Sequence, residues 1–203
     1  MWDVGRERRF ALSPTGSPCV VWLRMPSETF LPPGVEVVPA APEQESVLAN
    51  LLELYAHDFS EFIDLAIGSD GRFHYPRLPL YWLEESRFPF LVKVDGFLAG
   101  LVLVSRGSHI SSDPRVWDMA EFFIMRRYRR RGIGAALAQE VWRRFPGAWE
   151  VRVQQGNTAA LAFWRSTINA FTGSIQEPVS VEENGTHRRV FAFRSLAAAG
   201  SAR

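Results

Sequence analysis

The run from Val116 to Leu137, VWDMAEFFIM followed by RRYRRRGIGAAL, constrains this chain more than any other stretch. An apolar segment of strand character leads into five arginines, then into Gly132 and Gly134, and then into a helix whose Ile133, Leu137 and Val141 fall on one stripe. Strand, loop and helix in that order leave backbone amides at a helix mouth, where the first N–H groups have no helical partner and the helix dipole is positive. The glycines permit close approach, so the segment reads as an anion site. Several amides with Arg129, Arg130 and Arg131 beside them suit a diphosphate better than a single carboxylate. A dinucleotide fingerprint needs a further glycine where Leu137 stands, and a P-loop needs a Gly-Lys-Ser/Thr that is missing.

The chain has 203 residues, 47% of them hydrophobic, enough for one α/β domain with a sizeable core. Twenty-three basic residues against 22 acidic ones leave a net charge of +1, so no global field recruits nucleic acid or an anionic membrane, and neither is an expected partner. Cys19 is the one cysteine and the four histidines show no ligand spacing, so no disulfide within the chain and no metal are expected. Apolar stretches such as Phe97 to Val104 are half the length of a membrane span, and a cytoplasmic location is expected.

Residues 1–34, rich in proline and strand-like only at Cys19 to Leu23, read as an N-terminal appendage, residues 35–195 as the domain, and residues 196–203 as a flexible tail. Within the domain, VEVVPA is a short strand, and Pro42 opens a helix with Val47, Leu48, Leu51, Leu52, Tyr55, Phe59 and Phe62 on one face. Gly68, Gly71, Pro76 and Pro79 break the next stretch into a candidate binding loop, followed by a helical turn at LYWLEE. FPFLVKV and FLAGLVLV form a hairpin about Asp95 and Gly96. WEVRV is a strand, Asn157 caps a helix to about Ile168, and two closing strands flank Asn184 and Gly185.

The motif Arg129-x-x-Gly132-x-Gly134 after a hydrophobic strand resembles the acyl-coenzyme A loop of the GNAT superfamily of N-acetyltransferases. PFLVKVDGFLAGLVLV resembles that family's second and third strands, AEFFIMRRYRRRGIGAAL its fourth strand and third helix, and NTAALAFW its fifth-strand exit and fourth helix, together covering about residues 35–195. LYAHDFSEF and LYWLEESRFPFLV are similar to a little-characterised bacterial branch of predicted acetyltransferases. The resemblance implies an α/β (α+β) fold with a mixed, mostly antiparallel central sheet of about six to seven strands, helices on both faces, and a splay between strands four and five.

It also implies transfer of an acetyl group from acetyl-CoA, as cosubstrate, to a primary amine of a small molecule or of a protein or peptide. The transfer is direct, in a ternary complex, by a monomer or homodimer. The alternative is a noncatalytic acyl-CoA-binding sensor. On the residues of this chain, Phe122 and Ile124 then offer backbone amides to the cofactor arm, that of Ile124 polarising the thioester carbonyl. Arg129, Arg130, Arg131, Gly132, Ile133, Gly134 and Ala135 hold the diphosphate, and Asn157, Phe163 and Trp164 approach from the other side. Trp164 replaces the tyrosine that many members use to protonate the departing thiolate, and the usual Gly-Phe after that helix is replaced by Ile168 and Asn169. Glu121 and Asp118 are the candidate bases; three positions apart on one strand, they are expected on opposite faces, so that only one reaches the reaction. Acceptor candidates are Tyr55, Asp58 and Tyr81, with His57, Asp70, His74, Trp82 and Glu84 around them, although LYAHDFSEF reads equally as an amphipathic helix with its acids in water.

Overall fold

A computed structural model describes residues 29–183 and 185–196. The strand-like stretch at 19–23, Asn184 of the last expected turn, and the tail from residue 197 lie outside the described residues. The hairpin that sequence places at Asp95 and Gly96 organises one half of the sheet. β2 (Arg87–Val94) and β3 (Phe97–Arg106) pair antiparallel, with Asp95 at φ +51° and Gly96 at φ +79°, the left-handed pair that matches strand twist. β1 (Val35–Pro39) joins one edge of that hairpin and β4 (Trp117–Ile124) the other, both antiparallel. β5 (Gly147–Gln154) runs parallel to β4, and the hairpin of β6 (Val179–Glu183) and β7 (Thr186–Ser195) completes a seven-stranded order β1-β2-β3-β4-β5-β7-β6. This is the expected mixed, mostly antiparallel sheet.

Helices cover both faces because the strands alternate apolar residues to each side. α1 (Glu45–Phe59), preceded by a 3-10 turn that begins at Pro42, lays Leu48, Leu51, Leu52 and Ala56 on the face carrying Leu91, Leu101, Leu103 and Phe123, and α2 (Leu80–Leu83) adds Tyr81. α3 (Ile133–Arg144) and α4 (Thr158–Thr172) cover the other face, where Ile133, Leu137, Val141, Trp142, Trp164 and Ile168 meet Val102, Val104, Trp117, Ile124, Val151 and Phe191. Asn157 caps α4 as its position suggests, its Oδ1 accepting the Ala160 N–H at 2.9 Å, and the helix runs four residues beyond Ile168 to Thr172. Ahead of β1, the Phe30 N–H donates to Glu140 and its ring lies under Arg143, so residues just before the expected domain start touch α3. Among the described residues no helix is long and apolar enough to cross a membrane.

Candidate active site

The site starts from a divergence of two strands. β4 and β5 pair only at Trp117 with Trp149 and at Asp118 with Glu150, and from Met119 onward they part. On the opposite edge of β4 the ladder with β3 continues to Gly100 opposite Ile124, where an added Cβ would run into the Phe123 carbonyl, and the Met125 N–H donates to Ala99 at 2.8 Å. Because strand groups alternate in direction, the N–H groups of Phe122 and Ile124 point away from β3, into the gap. Among the described residues this edge has no ladder partner.

Directly after β4, a 3-10 turn at Arg126–Tyr128 is anchored by the buried Tyr128, and the chain passes through Arg130 at φ +61° and Gly132 at φ +75° into α3. A left-handed position with no side-chain cap suits glycine at 132. The first helical bond of α3 is Ala136 N–H to Gly132 O at 3.1 Å, so the amides of Ile133, Gly134 and Ala135 precede the ladder and face outward at the positive helix end. Ile133 contributes its backbone alone, since its side chain is buried in the core. A Cβ at Gly134 would sit 3.3 Å from the Phe163 ring, so this glycine also sets the spacing of α3 and α4.

The five arginines divide the work in a way that counting charges does not reveal. Arg129 turns back: its Nε donates to the Ile124 carbonyl at 2.6 Å and its Nη2 to Asp58 at 2.6 Å. Arg126 donates to the same carboxylate at 2.7 Å, and Arg127 lies over the Tyr128 ring at 5.0 Å. Burial pushes the Asp58 carboxyl up, but its hydrogen bonds to Arg126 and Arg129 outweigh this and hold it below the ordinary value. Asp58 therefore ties the end of α1 to the loop. Arg130 and Arg131 remain exposed at the mouth of α3.

The two acids on β4 depart from the expected geometry. Leu103 pairs with Glu121 but Val104 pairs with Met119, so Ala120 is an extra residue in a β-bulge, and the alternation skips one step there. Trp117, Met119, Phe122 and Ile124 consequently face α3 and α4, while Asp118, Ala120, Glu121 and Phe123 share the α1 face. The acids are thus on one face, not opposite ones. Asp118, 1% exposed, is gripped by Arg152 through Nε at 3.0 Å and Nη2 at 2.8 Å, with His109 Nε2 at 3.6 Å. Burial opposes its charge, yet Arg152 and His109 bring its pKa to about 2. Glu121 accepts the Tyr75 hydroxyl at 3.1 Å and is also hydrogen-bonded by Tyr55; burial raises its pKa despite those bonds and the charge of Arg152.

Opposite pKa shifts give opposite stability signs. The folded pKa of Asp118 lies below its ordinary 3.8, so its contribution, about 2 kcal/mol, is present above roughly pH 4 and is lost as pH falls toward 2. Glu121, raised, contributes in the other sense: its share is present at low pH and is lost as pH rises through its folded value. Equilibrium denaturation of the Asp118→Asn variant is expected to show a flattened stability loss between pH 4 and pH 2; an acid step as steep as in the parent chain would reject the assignment.

The remaining residues take separate places. Tyr55 lies beside Glu121, and Tyr81, buried in the α1-side core with the Arg87 guanidinium 5.3 Å from its ring centre, also faces Glu121. Trp164, 7% exposed, packs at 5.0 Å on Phe122 and 4.9 Å on Phe163, forming an aromatic wall on the α4 side. A cleft of about 380 Å³ opens beyond the strand ends, lined by Phe62 and Asp64 after α1, Gln154 at the end of β5 and Gly156 after it, and His187 on β7. Gln154 lies two residues from Arg152 and so shares the Glu121 face. Sequence reasoning did not single out Gln154, His187 or Tyr75, although Tyr75 lies in the loop marked by glycines and prolines. Among the described residues no group of three His, Cys, Asp or Glu is placed to hold a metal ion.

A family model described as acetyltransferase (GNAT) family matches residues 48–167. No curated protein matches the chain. Among solved structures, an acetyltransferase from Thermus thermophilus is similar with a TM-score of 0.59 and 13% identity, over 79% of this chain and 96% of that one. The ribosomal-protein-S18-alanine N-acetyltransferase of Escherichia coli is similar with a TM-score of 0.53 and 12% identity, over 83% and 99%. YncA of Salmonella typhimurium, a structure with its cofactor acetyl-CoA, gives 0.52 and 10%, over 82% and 97%.

Proposed function

The chain belongs to the acetyltransferase (GNAT) family, and from that premise we propose that it transfers the acetyl group of acetyl-CoA directly to a primary amine of a small molecule, protein or peptide in a ternary complex. One observation carries the reading: the ladder-free edge of β4 leads straight into the open amides of α3. Those amides, at Ile133, Gly134 and Ala135, together with the exposed Arg130 and Arg131, fit a diphosphate. The Phe122 and Ile124 amides fit a pantetheine arm, and that of Ile124 stabilises the oxyanion as the amine attacks. Phe163 and Trp164 wall the acetyl side, with Asn157 at the start of α4 next to the cofactor arm.

Of the two acids, Glu121 is the base. Its raised pKa keeps it a competent proton acceptor, whereas Asp118 is locked to Arg152 and stays charged. In the step, the amine nitrogen bonds to the acetyl carbon, its proton passes to Glu121, and the carbon–sulfur bond breaks. The indole of Trp164 has no acidic proton to give, so the thiolate leaves unassisted and takes a proton from water. A thiol titrating near pH 8.5 makes that feasible. The acceptor enters through the cleft at Gln154 and His187.

Free-thiol release from acetyl-CoA across an amine panel, run beside calorimetry with acetyl-CoA, tests the proposal. Amine-dependent release is expected, and acetyl-CoA at a hundredfold over its Kd should stabilise the fold by about 2.7 kcal/mol, raising Tm by about 5–10 °C. Binding without turnover on any amine would replace the enzyme with a coenzyme A sensor, the reading that Trp164 favours. No binding at all would end both.

A further inference from the structure

Between α1 and α2, residues 60–79 cross the α1 face of the sheet without regular structure. The crossing is tied at its far end. The Glu53 carboxylate of α1 accepts two consecutive backbone amides, Phe73 N–H on Oε2 at 2.8 Å and His74 N–H on Oε1 at 3.1 Å. Arg72 Nη2 donates to Asn50 of α1 at 3.1 Å, the His74 ring pairs with Asp70 at 3.0 Å, and His74 itself takes φ +57°. A side chain rarely holds a left-handed backbone unless its surroundings impose it. What this arrangement delivers is the next residue: the Tyr75 hydroxyl, donating to Glu121 Oε1 at 3.1 Å.

We propose that Tyr75, aimed by the Glu53 tether, is a positioning residue that orients the Glu121 carboxylate and tunes the pH at which it accepts a proton. This rests on the reading of Glu121 as the base. Glu121 is faced by Tyr55 from α1, Tyr75 from the crossing, Tyr81 from α2 and Arg152 from β5. On its own strand Asp118 is occupied by Arg152 and His109, and Arg188 of β7 acts on Tyr55. Of these, Tyr75 is carried by the segment whose backbone amides Glu53 accepts, and it is also coupled to the Tyr81 hydroxyl. Its hydroxyl stabilises the charged carboxylate against burial, so removing it moves Glu121 toward the protonated form.

The full chain, labelled with carboxyl-13C glutamate, is titrated by NMR, with Glu121→Gln identifying the resonance. In parallel, kcat/KM for acetyl transfer to one amine found active is followed against pH. In Tyr75→Phe the Glu121 midpoint is expected to rise by about one pH unit, since a hydrogen bond to a charged group is worth about that much. On the acid side kcat/KM falls about tenfold for that displacement, converging on the parent chain at high pH. Glu53→Ala, with Tyr75 intact, moves the midpoint the same way, and Glu53→Gln, which keeps an acceptor, moves it less. An unmoved Glu121 midpoint in Tyr75→Phe overturns the inference. If the midpoint moves and the rate profile does not follow, the tuning stands and Glu121 is not the base. If Glu121→Gln abolishes turnover while Tyr75→Phe shifts neither curve, the base stands and the positioning role is wrong.

Discussion

Proline in place of Ile124 is expected to lower kcat for acetyl transfer by about 10²–10³, the usual loss when one oxyanion donor is removed. Position 124 permits the test because its N–H points into the gap between β4 and β5, and the neighbouring Met125 N–H holds the ladder to Ala99. The residue before the proline, Phe123, is already extended in β4, as the pyrrolidine ring requires. Ile124 is buried in the α3-side core, so the variant also loses packing. Ile124→Ala separates the two effects: it costs about 2–5 kcal/mol of stability yet keeps the amide, and should lose far less turnover than proline does. A folded proline variant turning over within threefold of the parent chain would remove Ile124 from the mechanism.

Glu121→Gln is the second large effect. Glutamine keeps an acceptor for the Tyr55 and Tyr75 hydroxyls, so the local packing survives while the proton acceptor is lost. General base catalysis is worth about 10²–10⁴, and kcat should fall by that factor with little change in acetyl-CoA affinity by calorimetry. Asp118→Asn offers the contrast, because its carboxylate is committed to Arg152 and its removal registers in acid stability. Turnover equal to the parent chain at every pH would exclude Glu121 as the base.

Much of the fold is legible in residue order. The Asp95–Gly96 hairpin, the Asn157 cap and the stripe of Ile133, Leu137 and Val141 are local statements, satisfied by backbone torsions and side-chain spacing within a dozen residues. The helix mouth at Gly132 is local too, since a left-handed residue and unbonded amides follow from three or four neighbours. The faces of the acids were not legible. Strict alternation puts residues three apart on opposite sides, and the bulge at Ala120 that reverses this carries no glycine to announce it.

Charge destination was equally hidden. Five arginines in one loop look like one anion trap, but Asp58, 68 positions from Arg126 in the chain, takes two of them, and Arg129 closes on the Ile124 carbonyl. Tyr75 reaches Glu121 across 46 positions for the same reason. Residue order thus decided the elements, their turns and the unbonded amides at the mouth of α3, all set by short-range sterics and hydrogen bonding. Which carboxylate lies in an ion pair, which lies among tyrosine hydroxyls, and which cations remain at the helix mouth were decided only when packing brought α1 and the crossing loop onto one face of β4 and β5 beside it, because electrostatic partnership depends on distance through space and not along the chain.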